Sequence, residues 1–252
     1  MYKKTKKIVG MGVCGAGEAD RYMEATLKEF KRLCDDVIIA TCNATQKEKD
    51  LISKYGFWQY EDNREWGIDQ PNIKSSLLEK VSKLKPDWII ALDMDEIFPP
   101  EFTREEAEKL TNSDEIAYQF LVVNLYNDKD HFAHDVGIQR FWNVRFFKHC
   151  PEYGYTYIRK NLHCGLAPPI FYRYAWHAPF YLEHYGLMKE EDRIRRVQRY
   201  DRYDPNAKFK GREYYDDLKK KLEPREFDRK GLLAKLKEAP ECKKRITPRI
   251  ND

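Results

Sequence analysis

In the first hundred residues, short apolar runs alternate with longer stretches in which apolar positions recur at helical spacing, the pattern of strands alternating with amphipathic helices. Residues 8–14 make the first run, closed by the turn Gly15-Ala16-Gly17. Over residues 18–33 the apolar positions Ala19, Tyr22, Met23, Leu27, Phe30 and Leu33 leave a charged opposite face, which predicts a helix. Val37-Ile38-Ile39-Ala40 predicts a second buried strand, and a strand, helix, strand succession of this length implies a right-handed parallel crossover. Thr41-Cys42-Asn43-Ala44-Thr45 then forms a strand-end loop, residues 46–55 a helix and Phe57-Trp58-Gln59-Tyr60 a short strand. Residues 61–72, polar and rich in turn formers, are expected to be a loop before a helix over 73–84. Four strands alternating with helices make an open α/β sheet, whose ligands sit at the carboxyl ends of the strands.

The fourth strand carries the clearest chemistry. Asp87-Trp88-Ile89-Ile90-Ala91-Leu92-Asp93-Met94-Asp95-Glu96 follows Lys85-Pro86 and stops at Pro99-Pro100, and its apolar middle reads as a strand buried on both faces. Alternation along that strand puts Asp93 and Asp95 on one side and Met94 on the other, so two carboxylates converge where the strand meets solvent. Such a pair suits a hard divalent cation, which keeps open positions for diphosphate oxygens and neutralises charge on a departing nucleotide diphosphate. An acidic loop, solvated or paired with lysines, is the competing reading. The loop at residues 41–45 is expected to share one crevice with the acidic pair. Gly10 and Gly12 lie inside the first strand and do not match a dinucleotide fingerprint.

Past Pro100 the pattern changes. A helix over 104–110 and the strand Ala117-Tyr118-Gln119-Phe120-Leu121-Val122-Val123 precede aromatic, strand-prone segments at 141–147, 153–158 and 171–176, which suit an antiparallel half covering the substrate. Residues 190–203 predict a basic helix ending at Asp204-Pro205, and the tail from Lys208 alternates lysine with acid, as solvated surface helices do.

Composition narrows the class. Of the residues 42% are hydrophobic and 35% charged, an ordinary globular balance, and 46 basic against 42 acidic residues leave a net +4, too little to demand nucleic acid as a partner. The six cysteines, Cys14, Cys34, Cys42, Cys150, Cys164 and Cys242, include no Cys-x-x-Cys pair, which argues against a zinc knuckle or a disulfide framework. The basic start is followed by a short apolar run broken by glycine, so no signal peptide is expected, and no apolar stretch approaches the ~20 residues that span a bilayer. A cytoplasmic location with reduced thiols is expected.

Several stretches, taken in order, resemble the family 2 glycosyltransferases, which have the GT-A fold. Gly17-Glu18-Ala19-Asp20-Arg21-Tyr22-Met23-Glu24-Ala25-Thr26-Leu27 resembles that family's first loop and helix. Asp35-Asp36-Val37-Ile38-Ile39-Ala40-Thr41-Cys42-Asn43-Ala44-Thr45-Gln46 resembles its second strand, and the segment from Asp87 to Glu96 its strand with the Asp-x-Asp metal motif. Arg145-Phe146-Phe147, Leu162-His163-Cys164-Gly165 and His184-Tyr185-Gly186 with the later Arg199-Tyr200 fall in the family's order, so that the likeness covers roughly residues 8–205.

The resemblance implies a nucleotide-sugar half at 1–100, an acceptor half at 101–205 and a charged helical extension at 206–252. It implies a metal-dependent, hexosyltransferase-like activity, with a UDP-sugar as the expected donor, Mn2+ or Mg2+ as the divalent cation, and a glycan, protein or modified DNA as acceptor. Asp93 would face the nucleotide ribose and the metal, Asp95 would ligate the metal, and His184 would supply a further contact. Glu18 and the loop at 41–45 would line the nucleotide pocket. Thr41 stands where the family has the aspartate that contacts the base, which leaves Asn43 as the substitute. Lys74, Arg140 and Arg145 are candidates for holding phosphate oxygens, Arg145 equally for a structural pair on its strand. Inversion at the anomeric carbon needs a carboxylate to take the acceptor's proton, for which Asp135 stands ahead of Glu183 and Glu152. Two other readings remain open: a sugar- or nucleic-acid-binding module without turnover, using the basic helix and aromatic segments, and a haloacid-dehalogenase-type phosphatase, whose motif belongs on a first strand rather than a fourth.

Overall fold

The computed structural model describes residues 5–133, 141–157, 162, 164–208, 212–217 and 223–238. Among them ten strands make one mixed sheet: β1 (Ile8–Gly15), β2 (Asp36–Cys42), β3 (Trp58–Asp62), β4 (Trp88–Ala91), β5 (Glu96–Ile97), β6 (Ala117–Tyr126), β7 (Asp128–Ala133), β8 (Phe141–Lys148), β9 (Trp176–His184) and β10 (Pro224–Glu226). The helices are α1 (Met23–Leu33), α2 (Gln46–Lys54), α3 (Trp66–Lys83), α4 (Arg104–Thr111), α5 (Pro169–Tyr174), α6 (Glu190–Tyr203), α7 (Arg212–Asp217) and α8 (Arg229–Glu238). Eight strands run in the order β10-β7-β6-β8-β4-β1-β2-β3, with β9 beside β6 and β5 beside β9. The strands β3, β2, β1 and β4 are parallel, and β8 joins β4 antiparallel. The expected parallel and antiparallel halves thus meet along β4.

At β1, β2 and β4 both faces of the parallel half are covered, which is why these strands run mostly apolar, while the edge strand β3 stays largely exposed. Ile8, Ile39 and Ile90 face α1 through Leu27, Phe30 and Leu33, while Val9, Met11, Ile89 and Ala91 face α3 through Ile73, Leu77 and Val81. Each fully buried Leu, Ile or Phe is worth about 1.5–3 kcal/mol, so burial of these two faces dominates over the helices' own propensity.

Several elements differ from the sequence pattern. The helix expected from residue 18 begins at Met23, because Glu48 in the first turn of α2 reaches back and accepts the N–H groups of Gly17 and Ala19 at 3.0 and 3.1 Å. Glu48 also closes a capping box with Thr45, worth about 1 kcal/mol, so one buried carboxylate caps α2 and holds the loop after β1. The loop expected over 61–72 is helical from Trp66: the chain kinks at Asp69 and Pro71 falls in the first turn after the kink, where its missing N–H costs nothing.

Residues 169–174 form helix α5 rather than a strand, started by Pro168-Pro169, with Phe171 buried against Phe147. Pro151–Tyr153 is a 3-10 turn, and no strand follows it up to residue 157. β4 ends at Ala91, so Asp93 and Asp95 lie in a turn beyond the strand and alternation along it does not apply to them. The charged tail supplies, besides helices, the strand β10 that pairs with β7.

Candidate functional site

The loops after β1 and β4 open into a cleft of about 370 Å³ lined by Glu18, Arg21, Trp66, Lys74, Asp93, Asp95, His184 and the arginines 195, 196 and 199, among others. It lies at the carboxyl ends of parallel strands, as the alternating pattern requires. Five of the residues singled out in the sequence meet here: Glu18, Lys74, Asp93, Asp95 and His184.

Asp95 and His184 come together through β5. This two-residue strand pairs Glu96 with His184 on β9, and the Tyr185 N–H donates to the Asp95 carbonyl at 2.8 Å. Asp95 Oδ2 then stands 3.5 Å from His184 Nε2. A side chain at Gly186 would run into the Asp95 carboxylate and stand 2.7 Å from Arg196 Nη2, so glycine is what lets these groups converge.

The His184 Nδ1 bonds Asn124 Oδ1 at 2.6 Å, and Arg196 Nη2 donates to Nε2 at 3.2 Å. Burial, helped by Arg196 and opposed by Asp95, pulls the imidazole down to about 4, so it is neutral at pH 7 with its proton on Nδ1 and a lone pair on Nε2. Burial works against the Asp95 carboxylate, yet His184, Arg196, Arg21 and Arg199 outweigh it and hold the group below the usual carboxylate range. A charged carboxylate beside an imidazole, with the far nitrogen pinned by an amide, fits two positions of a divalent cation's shell once Arg196 turns away from the Nε2 lone pair it now occupies. No group of three or more His, Cys, Asp or Glu side chains suited to a metal occurs among the described residues, so Asp93 does not join Asp95 and His184 in one donor set.

Asp93 is 39% exposed and is held by Arg145, whose Nη2 donates to Oδ2 at 2.8 Å. Glu18 lies across the cleft, 3.4 Å from Arg21 Nη1, and Arg21 donates through Nε to Asp192 at 2.8 Å. Lys74 is almost wholly buried: its ammonium donates to Gln70 Oε1 and the Cys164 carbonyl and lies 4.9 Å from the centre of the Trp66 ring. Burial lowers its pKa.

Other candidates fall elsewhere. Thr41 is buried inside β2, paired in register with Cys14, and Asn43 is an exposed turn residue with φ 53°; neither lines the cleft. Glu183 points away from it, its carboxylate accepting from Arg229 Nε at 2.7 Å and from the Tyr185 hydroxyl at 2.8 Å. Glu152 is exposed on the 3-10 turn and outside the lining. Asp135, Arg140 and His163 lie outside the described residues.

Sequence reasoning did not place Arg21 or Trp66 in the cleft, and it gave the basic helix with Arg195, Arg196 and Arg199 to the binding-module alternative, and Arg199-Tyr200 to the family order, rather than to this site. Asp192, Arg196 and Arg199 recur at i, i+4 and i+7, which places them on one stripe of α6, and that spacing was the available signal.

No protein-family model and no curated protein matches the chain. Among solved structures, S. aureus TarS overlaps 84% of this chain and 42% of its own, at a TM-score of 0.50 and 10% identity, so this chain spans less than half of that protein. The structure of TarS 1–349 overlaps 84% of this chain and 69% of its own, at a TM-score of 0.47 and 8% identity. The glucosyl-3-phosphoglycerate synthase of Mycobacterium tuberculosis, in complex with Mn2+, UDP and glucosyl-3-phosphoglycerate, overlaps 48% of this chain and 44% of its own, at a TM-score of 0.32 and 16% identity. The first of these overlaps shows the fold: a GT-A-like open mixed sheet. No helix among the described residues is long and apolar enough to cross a membrane.

Proposed function

We propose that the protein is a metal-dependent glycosyltransferase that moves a sugar from a nucleoside diphosphate to an acceptor, with UDP-sugar as the first donor to try. The observation that supports this most is the pairing of Asp95 with the neutral His184 in a cleft edged by arginines. Asp95 and His184 Nε2 would hold Mn2+ or Mg2+, which when bound supplies positive charge opposite the departing diphosphate. Arg196 and Arg199 reach the same corner from α6 and suit the phosphate oxygens, whose fork geometry arginine matches better than lysine. Lys74, spent on Gln70 and Cys164, is a wall residue in this reading. Asp93, fixed from behind by Arg145, presents a carboxylate to donor hydroxyls.

Inverting transfer requires a carboxylate that takes the acceptor's proton. Glu18 is the candidate inside the cleft: burial and the neighbouring Asp95 push its carboxyl up to about 7, a value at which it can exchange a proton near neutral pH. Asp135 remains the other candidate, from the sequence alone.

Release of nucleoside diphosphate from a panel of nucleotide sugars, with Mn2+ or Mg2+ and crude acceptor mixtures, tests the reading. Asp95→Asn should lower that release at least about a hundredfold and leave the fold intact. Nucleotide binding without any release by the wild-type protein would make it a binding module, and phosphate release from simple monoesters would favour a phosphatase.

A further inference from the structure

We infer that Arg145, through its pair with Glu96, is the positioning residue of this cleft, ordering Asp93 and the Asp95–His184 approach without itself touching donor or acceptor. This role rests on the glycosyl-transfer reading above and deepens it.

The last pair between β4 and β8 is Ile90 with Phe146, so Arg145 is the next residue along β8 and stands under the turn that carries the acidic residues. Its side chain is 3% exposed and that of Glu96 is 1% exposed. Arg145 Nε donates to Glu96 Oε2 at 2.7 Å, while Nη2 is shared between Glu96 Oε1 at 2.5 Å and Asp93 Oδ2 at 2.8 Å. Glu96 Oε2 in turn accepts the Asp93 backbone N–H at 3.0 Å. Asp93 is therefore gripped twice, by its carboxylate and by its main chain. The backbone of Glu96 meanwhile pairs with His184 through β5, and the hydroxyl of Thr26 donates to the Glu96 carbonyl at 3.1 Å. One buried pair thus sets the orientation of Asp93 directly and the position of Asp95 beside His184 through the shared turn.

Stability is a poor explanation for this pair. Removing two charges from water costs about as much as their attraction returns, and apolar replacements of buried ion pairs are often neutral or stabilising. Arg145 Nη1 is buried with no partner among the described residues, a cost that a pair selected for stability alone would avoid. What the geometry uses is shape: a planar guanidinium spans two carboxylates at once, which a lysine ammonium does not reproduce.

Three proteins test the assignment: wild type, Arg145→Lys, and the double variant Arg145→Met with Glu96→Gln, which removes both charges and keeps an acceptor for the Asp93 N–H. Unfolding midpoints report the fold, Mn2+ affinity is read by electron paramagnetic resonance, and UDP and GDP are titrated calorimetrically with Mn2+ present. The double variant should melt at or above the wild-type temperature. Both variants should bind Mn2+ and the nucleotide that wild type binds about tenfold to a hundredfold more weakly, as loss of a partner behind a metal ligand does elsewhere. A folded variant with wild-type affinity overturns the assignment, and unfolding of both variants overturns it as well, by making the pair structural. Failure of wild type to bind either nucleotide with Mn2+ overturns the transfer reading itself, and this role with it.

Discussion

Glu18 illustrates how a single side chain in this cleft ties stability to pH. Its side chain is 24% exposed, yet burial of the carboxyl and the charge of Asp95 raise its pKa from 4.5 to about 7, against the pull of Arg21 and Arg199. The folded protein therefore binds more protons than the unfolded chain between about pH 4.5 and 7, and this contribution to stability is lost as pH rises through 7. His184 runs the other way. Its folded value, about 4, lies below the ordinary 6.5, so its contribution is complete above 6.5 and is lost as pH falls towards 4. The two windows overlap with opposite sign, and the wild-type profile alone hides both. Glu18→Gln separates them: in metal-free buffer the variant should melt close to wild type near pH 5 and about 3 °C above it at pH 8, by differential scanning calorimetry. The same offset at both pH values would show that Glu18 titrates as an ordinary carboxylate.

At the scale of elements, α6 is the piece that turns a sheet edge into an enclosed cleft, and it is held at both ends. Asp192 in its first turn accepts from Arg21 Nε and from the Tyr22 hydroxyl, each at 2.8 Å. At its far end Tyr203 donates to Glu65 Oε1 at 2.6 Å and lays its ring on Gly67, where any side chain would collide with it. Gly67→Ala should lift that end of α6, speed amide exchange along the helix and weaken nucleotide binding several-fold, while the overpacking costs about 1–3 kcal/mol. Unchanged exchange in α6 would show that the arginines are held from elsewhere. Such anchors explain what was legible. In the parallel half β1, β2 and β4 were readable because they are buried on two faces, whereas β3 is a largely exposed edge strand. Strand ends facing one crevice placed the acidic pair but also the loop at 41–45, whose Thr41 and Asn43 do not line the cleft, and Glu18, Lys74 and His184 came from the family resemblance. The arginines of α6 were not readable as site residues: Arg21 and Asp192 meet across 171 positions, and locally a basic helix in water and one over a cleft look alike. Residues 171–176 were misread for a related reason, since the β-prone Phe171 and Tyr172 sit in a single helical turn begun by Pro168-Pro169.

For the molecule as a whole, the charged tail is more than a solvated surface. β10 pairs with β7, Phe227 packs its ring 5.3 Å from that of Tyr181, and Leu233 is buried beside it in the main core. Arg229 carries the electrostatic part: Nε donates to Glu183 Oε1 at 2.7 Å, and the guanidinium lies 4.5 Å from the centre of the Phe227 ring. Glu183 is 10% exposed against 32% for Arg229, so losing the arginine leaves a buried carboxylate with the Tyr185 hydroxyl as its remaining partner among the described residues. Arg229→Met should therefore cost about 1–3 kcal/mol, less than the full price of a broken buried pair because Arg229 is partly solvated, and lower the melting temperature by roughly 5 °C. Removing residues 224–252 should cost more, because it also bares the β7 edge and the faces of Phe132 and Tyr181, and should favour aggregation on heating. Glu183 and His184 are neighbours on β9 facing opposite ways, Glu183 towards Arg229 and His184 towards the cleft. Nucleoside diphosphate release per folded molecule should accordingly stay at the wild-type level in Arg229→Met, even though the protein melts earlier. A variant that keeps its melting temperature and loses release instead would place the tail, and Glu183 with it, in the chemistry of the cleft.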